Sequence, residues 1–286
     1  MDSQLNVVYH HHSGFSVEHG DTLLVFDYWE ENGTIPANGR ITPTYLSRFR
    51  QIYVLVSHAH PDHFDPVIYQ WKNEFPDITY ILSSDIPIGQ VGKRMVEGQS
   101  REIGNIIVHP YPSTDAGLAY LVELDGLKIF HAGDLNLWHW RQESSLREIE
   151  AAENAFYKAL DQIDIRDMDV AMFPVDPRQG MMYDAGANHF ILSFKPRVMI
   201  PMHWWRREDV AVDFARRSHN QQTEILPLTK PGTTATIHFM DQLTDIHVIE
   251  PPKEYRESKE NPRKDHTLFA ESNPFAESDL PVNLEE

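Results

Sequence analysis

Residues 58–63 of this 286-residue chain read His-Ala-His-Pro-Asp-His. Three imidazoles and a carboxylate within six positions form a donor set suited to a borderline divalent ion such as zinc. The cluster follows directly on the apolar run Ile52–Val56, which reads as a strand. In the extended segment at the end of that strand, His58 and His60 point to the same side. A turn beginning at Pro61 swings Asp62 and His63 toward a second position. One short loop can thus feed two neighbouring metal ions. Two other segments hold reactive side chains. His139 lies between Trp138 and Trp140, where it either donates to a substrate oxygen or packs in an aromatic cluster. Asp176-Pro-Arg178 follows the predicted strand Asp169–Phe173. That pair either binds an anionic group or closes on itself as a salt bridge.

The elements that must position these residues are legible in outline. The chain is 41% hydrophobic and 24% charged, enough to bury a sizeable core. Its net charge of −18 repels nucleic-acid backbones and anionic lipid, so neither a nucleic-acid partner nor a membrane is expected. The absence of cysteine excludes disulfides, iron–sulfur clusters and thiol catalysis. Met1 to Asn6 lacks a basic-then-apolar signal pattern, and no run approaches ~20 apolar residues, so a cytoplasmic location is expected. Short apolar runs predict strands at Leu5–Tyr9, Thr22–Asp27, Ile52–Val56, Ile78–Leu82 and Ile106–His109. Leu118–Leu124 and Leu127–His131, joined by Asp125-Gly126, read as a hairpin with a type I′ turn. Ser145 to about Ile165 reads as a helix opened by a Ser145/Glu148 capping box. Arg197–Pro201 reads as a later strand, with a helix over Ala185–Phe194 before it. Ala235–Met240 and Leu243–Ile249 close the body. A domain over residues 1–250 is expected, followed by an acidic, disordered tail over 251–286.

His-x-His-x-Asp-His after a strand resembles the signature of the metallo-β-lactamase fold superfamily. The likeness runs along residues 7–250. Asp27 in Leu-Leu-Val-Phe-Asp resembles the family's first motif, Ile129-Phe-His-Ala-Gly-Asp134 its fourth, and Val198-Met-Ile-Pro-Met-His203 its fifth. Tyr9-His-His-His-Ser-Gly-Phe15 is similar to the opening of the group containing L-ascorbate-6-phosphate lactonase and many metal-dependent hydrolases. The resemblance implies that His58 and His60 hold a first metal, and that Asp62, His63 and His203 hold a second. It implies that Asp134 bridges them, and that Asp27 stands behind the His-rich loop and orients it. His12 falls where related enzymes place a residue near the metal rim, a candidate for the substrate pocket. The chain departs from the family at the third motif. Where a His is expected before Gly117, it reads His109-Pro-Tyr-Pro-Ser-Thr-Asp115-Ala-Gly117. His109 or Asp115 is then the candidate third ligand of the first metal.

The fold this implies is α/β (α+β), an αββα sandwich of two mixed sheets. The implied activity is a metal-dependent hydrolase using a metal-activated water on an ester, lactone or phosphodiester of a small anionic molecule. Asp62 is the candidate to orient the nucleophile and shuttle its proton. The cofactor is one or two divalent ions, zinc first, with manganese and iron served by the same donors. Three rivals stand beside it: an oxygen- or nitric-oxide-reacting di-iron protein on the same fold, a nuclease, which the length and the acidic charge disfavour, and a non-catalytic scaffold with a vestigial site. The sequence leaves the oligomeric state open.

Overall fold

The computed structural model describes residues 2–252, apart from 88, 141, 142, 241 and 242. Of the tail expected over 251–286, residues 253–286 lie outside the described residues. The chain runs β1 (Asp2–His11), β2 (Gly14–His19), β3 (Thr22–Phe26), α1 (Pro43–Leu46), β4 (Gln51–Val56), β5 (Thr79–Ser83), β6 (Lys93–Met95) and β7 (Arg101–Ile103). It continues with β8 (Ile106–Pro112), β9 (Leu118–Leu124), β10 (Leu127–His131), α2 (Leu146–Asp161), β11 (Val170–Pro174), α3 (Ala185–Phe194), β12 (Val198–Met202) and α4 (Glu208–Arg217). β13 (Glu224–Ile225), β14 (Thr234–Met240) and β15 (Leu243–Ile249) complete it.

These strands form two mixed sheets. One has eight strands in the order β15-β14-β1-β2-β3-β4-β5-β6, the other seven in the order β13-β12-β11-β10-β9-β8-β7. Period-two alternation builds the layers. In β3, Leu24 and Phe26 join the large central core, while Leu23 and Val25 join a second core on the other face. In β4, Tyr53 and Leu55 divide from Val54 and Val56 in the same way. The second core is closed by Leu46 of α1 and by Ile68 and Trp71 of a short 3-10 helix. Apolar faces of α2, α3 and α4, through Phe156, Phe190 and Phe214, join the central core with the second sheet. The result is the αββα sandwich. Among the described residues, no helix is long and apolar enough to cross a membrane.

Local chemistry sets the element ends as expected. Ser145 Oγ accepts from the Glu148 amide and Glu148 Oε2 from the Ser145 amide, closing the capping box. Asp125 and Gly126 have φ of +49° and +83°, the two positive angles a type I′ turn needs. The parallel pairs β3/β4, β10/β11 and β11/β12 point their C-terminal ends toward one edge. Asp27, Ser57–His63, Asp134, Asp176 and His203 all lie just past those ends.

Phe190 is fully buried and packs 5.1 Å from Phe130, 4.8 Å from Phe173 and 4.6 Å from Phe194, ring centre to ring centre. Phe190→Ala should therefore lower the unfolding free energy by about 3–5 kcal/mol in denaturant titration. A loss below about 1 kcal/mol would mean that α3 is not docked as described.

Candidate metal centre

The site begins with Asp27. It is 1% exposed, at the end of β3, in the left-handed region at φ +42°. Its Oδ1 accepts from the Ser57 amide at 2.7 Å. Its Oδ2 accepts from Ser57 Oγ at 2.6 Å and from His63 Nδ1 at 2.7 Å. Ser57 spends its only proton on Asp27, so at 2.9 Å its oxygen accepts from His58 Nδ1. One carboxylate thus fixes Nδ1 of two imidazoles and turns both Nε2 atoms toward the centre, where His58 Nε2 accepts from His60 Nδ1 at 3.0 Å. His203 is set in the same way. Its Nδ1 donates to Asp176 Oδ2 at 2.9 Å, and Asp176 is fully buried. Asp176 is held in turn by the Arg178 amide at 2.8 Å and by the Arg178 guanidinium.

The donors meet in two groups among the described residues: His58, His60 and Asp134, and His12, Asp62, His63 and His203. Asp134 stands between them. Its Oδ2 is 3.4 Å from His58 Nε2, while its Oδ1 is 3.1 Å from His63 Nε2 and 3.3 Å from His203 Nε2. Asp62 Oδ2 lies 3.2 Å from His12 Nε2 and 3.8 Å from His203 Nε2. Donors bound at about 2.1 Å around one tetrahedral ion stand about 3.4 Å apart, so these separations suit an ion in the middle. Buried Nε2 of His63, Nε2 of His203, Oδ1 of Asp134 and both ring nitrogens of His12 make no hydrogen bond. Leaving such groups unsatisfied costs roughly 1–3 kcal/mol each, a cost that a bound cation removes. The residues present therefore fit a divalent metal.

The electrostatics agree. Burial opposes the ionised form of Asp134, but His63, His203 and His58 hold its carboxyl well below the usual range. Burial opposes the ionised form of Asp27 as well, and His131, His63 and His58 hold it down. Burial also opposes charge on His63, but Asp134 and Asp27 hold it well above the ordinary imidazole value. An ion held at His63 Nε2 would take the place of a proton there. His58 is pushed down to about 4 by burial and by His63, and His12 to about 3 by burial and by His203.

Tight backbone approaches shape the loops. Gly117, at φ +66°, lies where a Cβ would come 2.0 Å from the Ser57 carbonyl oxygen. That closeness lets the Leu118 amide donate to the Ser57 carbonyl at 2.9 Å. His131 Nε2 donates to the Ser13 carbonyl at 2.8 Å, and its ring stacks on Phe26 at 5.2 Å. Its role is structural, and it pins the corner that carries His12. Trp138 Nε1 donates to the Asp134 carbonyl at 2.7 Å.

Two expectations need correction. His109 does not complete the first position. On β8 its neighbours Val108 and Pro110 point inward, so alternation turns it to the opposite face. There it bonds Glu123 Oε1 and Ser100 Oγ, both at 2.8 Å. Asp115 is the candidate that comes near, with Oδ2 3.9 Å from His60 Nδ1, both half exposed. Asp176 is not a pocket wall, because its full burial and its bond to His203 make it a positioning group. His12, expected near the metal rim, stands with Asp62, His63 and His203 in the second donor group. Arg178 keeps its side chain 48% exposed, with the guanidinium 4.8 Å over the Trp205 ring. His139 is buried and belongs to neither donor group. Sequence reasoning missed Ser57, although its place between a strand and the His cluster was visible.

Comparison with known proteins adds a lineage. Residues 6–153, a little over half of the chain, match the family model described as a beta-lactamase superfamily domain. A UPF0173 metal-dependent hydrolase of Symbiobacterium thermophilum is 23% identical over 249 residues, covering 82% of this chain and 100% of that protein. One from Heliobacterium modesticaldum is 23% identical over 266 residues, covering 82% and 98%. Among solved structures, Igni18, a metallo hydrolase from Ignicoccus hospitalis, superposes with a TM-score of 0.60 at 20% identity. That match covers 83% of this chain and 100% of Igni18.

Asp27→Asn should weaken metal uptake at both positions, and Asp176→Asn at the His203 position alone, each by about 10–100-fold. Competition of cobalt-loaded protein with a chromophoric chelator measures both. Equal affinities in wild type and Asp27→Asn would show that the carboxylate does not organise the donors.

Proposed function

The chain belongs to the β-lactamase superfamily, and from that premise we propose that it is a metal-dependent hydrolase acting on an ester, lactone or phosphodiester of a small anionic molecule. The observation that carries this reading is Asp134, whose two oxygens face two separate donor groups, with His58, His63 and His203 buried and held through Nδ1. The names of the relatives support the same class. A divalent ion held by these donors supplies Lewis-acid polarisation and lowers the pKa of water toward neutrality.

The chain's own groups do the rest. Asp62 is 20% exposed in its side chain and reaches the centre from the open side. Burial opposes its charge, but the His12 contact and the His63 and His203 imidazoles keep its carboxyl below the usual range. It is therefore ionised near neutrality and can accept a hydrogen bond from the attacking water and orient it. Arg178, half exposed beside Trp205, is the group suited to an anionic substituent of the substrate. A local guanidinium and bound cations attract an anion even though the whole chain carries −18. Zinc is the first expectation for the ion, with manganese and iron compatible with the same His and Asp donors.

Purified protein reconstituted with zinc, manganese or iron should hold at least one ion per chain by elemental analysis. It should then cleave at least one member of a panel of phosphodiesters, lactones and esters. His60→Ala and His203→Ala should each abolish that turnover while the thermal unfolding curve stays cooperative, since both residues lie on loops. Wild-type turnover in both variants would show that hydrolysis happens elsewhere.

A further inference from the structure

His12 carries two costs that protein contacts alone do not repay. Its backbone is left-handed at φ +53°, a region that side chains with a Cβ avoid. Its imidazole is 1% exposed, Nδ1 makes no hydrogen bond, and Nε2 meets only the Asp62 carboxylate, at 3.2 Å and without good hydrogen-bond geometry. A buried polar ring in a disfavoured turn marks a place where something else satisfies it.

The corner is nonetheless firmly built. The pairing of β1 with β2 shifts register between Tyr9 and His11, which rotates the next side chain out of the strand's alternation. The His12 amide donates to Tyr9 Oη at 3.0 Å. The neighbouring Ser13 carbonyl is held by the buried His131 at 2.8 Å. The His12 ring lies 4.1 Å from the His203 ring, 4.5 Å from Trp205 and 5.7 Å from His63, between centroids. It is held against the donors, not swung away from them.

We propose that His12 is a metal ligand of the second position, binding through Nε2 beside Asp62, His63 and His203. The proposal rests on the metal-dependent reading above. Two atoms each about 2.1 Å from one ion stand at most about 4.2 Å apart. The 3.2 Å between His12 Nε2 and Asp62 Oδ2 falls inside that limit. The second position then has three imidazoles, Asp62 and one oxygen of Asp134. The first has His58, His60 and the other oxygen of Asp134. The donor that the segment before Gly117 does not supply to the first position is matched by an added donor at the second. His12 differs from its partners in one respect. His63 and His203 each give Nδ1 to a buried carboxylate, whereas His12 Nδ1 makes no hydrogen bond. It is therefore the least supported of the three imidazoles, and its loss should weaken the position without emptying it.

The test uses the full chain loaded with one equivalent of zinc. X-ray absorption at the zinc edge should count three imidazoles in wild type and two in His12→Ala. Chelator competition should show zinc held about tenfold or more weakly in the variant. His12→Asn guards against misfolding, since Asn accepts the left-handed backbone while removing the imidazole, and it should give the same two results. Unchanged imidazole count and affinity in both variants would overturn the proposal. So would lost hydrolysis with zinc binding intact, which would place His12 against the substrate instead. A wild-type chain that takes up no zinc, manganese or iron would remove the hydrolase reading itself, a distinct outcome.

Discussion

The centre depends on one buried charge, the Asp27 carboxylate. Its oxygens take three hydrogen bonds, two from Ser57 and one from His63. Through Ser57 it also fixes His58. It thus reaches both donor groups from a single point at the end of β3. A carboxylate accepts and never donates, so every ring it touches must present a proton to it. That rule decides which nitrogen of each ring faces the centre. Asp176 applies the same rule to His203 from the other sheet. The two sheets contribute one anchoring carboxylate each, and the seam between them is where the donors meet.

Gathering this many imidazoles and carboxylates out of water is unfavourable unless charges balance. Here His63 lies between Asp27 and Asp134, and that arrangement keeps both carboxylates ionised. Backbone strain concentrates in the same place. His12, Asp27, His203 and Trp205 all have positive φ, although none is a glycine. Such conformations cost about 1–2 kcal/mol per residue and persist only where packing over-determines them. The two cores and the ladders of fifteen strands among the described residues provide that packing. The sandwich therefore holds a strained, charged edge where the two donor groups meet.

Much of this was legible in the sequence. Apolar runs bounded by turn residues located most strands, and Asp125-Gly126 and Ser145/Glu148 fixed a turn and a helix start by their own chemistry. The His cluster was visible because its donors are contiguous. Residues that act through geometry were harder to read. Asp176-Pro-Arg178 looks like an anion-binding pair, but only the fold shows that Asp176 is buried against His203. Its likeness to Asp27, an Asp just beyond an apolar strand, was the available signal. His12 was hidden because strict alternation along Leu5, Val7 and Tyr9 assigns the inward face to His11, and only the register shift brings His12 into the site. The same alternation, applied to Val108 and Pro110, would have excluded His109. The strand Gly14–His19 and the helix Glu208–Arg217 went unread. The helix places Val210, Ala211 and Phe214 on one face, but the adjacent Trp-Trp-Arg-Arg run draws the eye to a pocket wall.

The donors are unequally shared: four residues meet around His63 and His203, three around His58 and Asp134, so the position at His63 and His203 should fill first. Anomalous diffraction from a crystal loaded with one equivalent of zinc tests it most directly. One peak is expected within bonding distance of His63 Nε2 and His203 Nε2, with Asp62 and Asp134 Oδ1 beside it. A single peak beside His58 and His60, with none at His63 and His203, would contradict it.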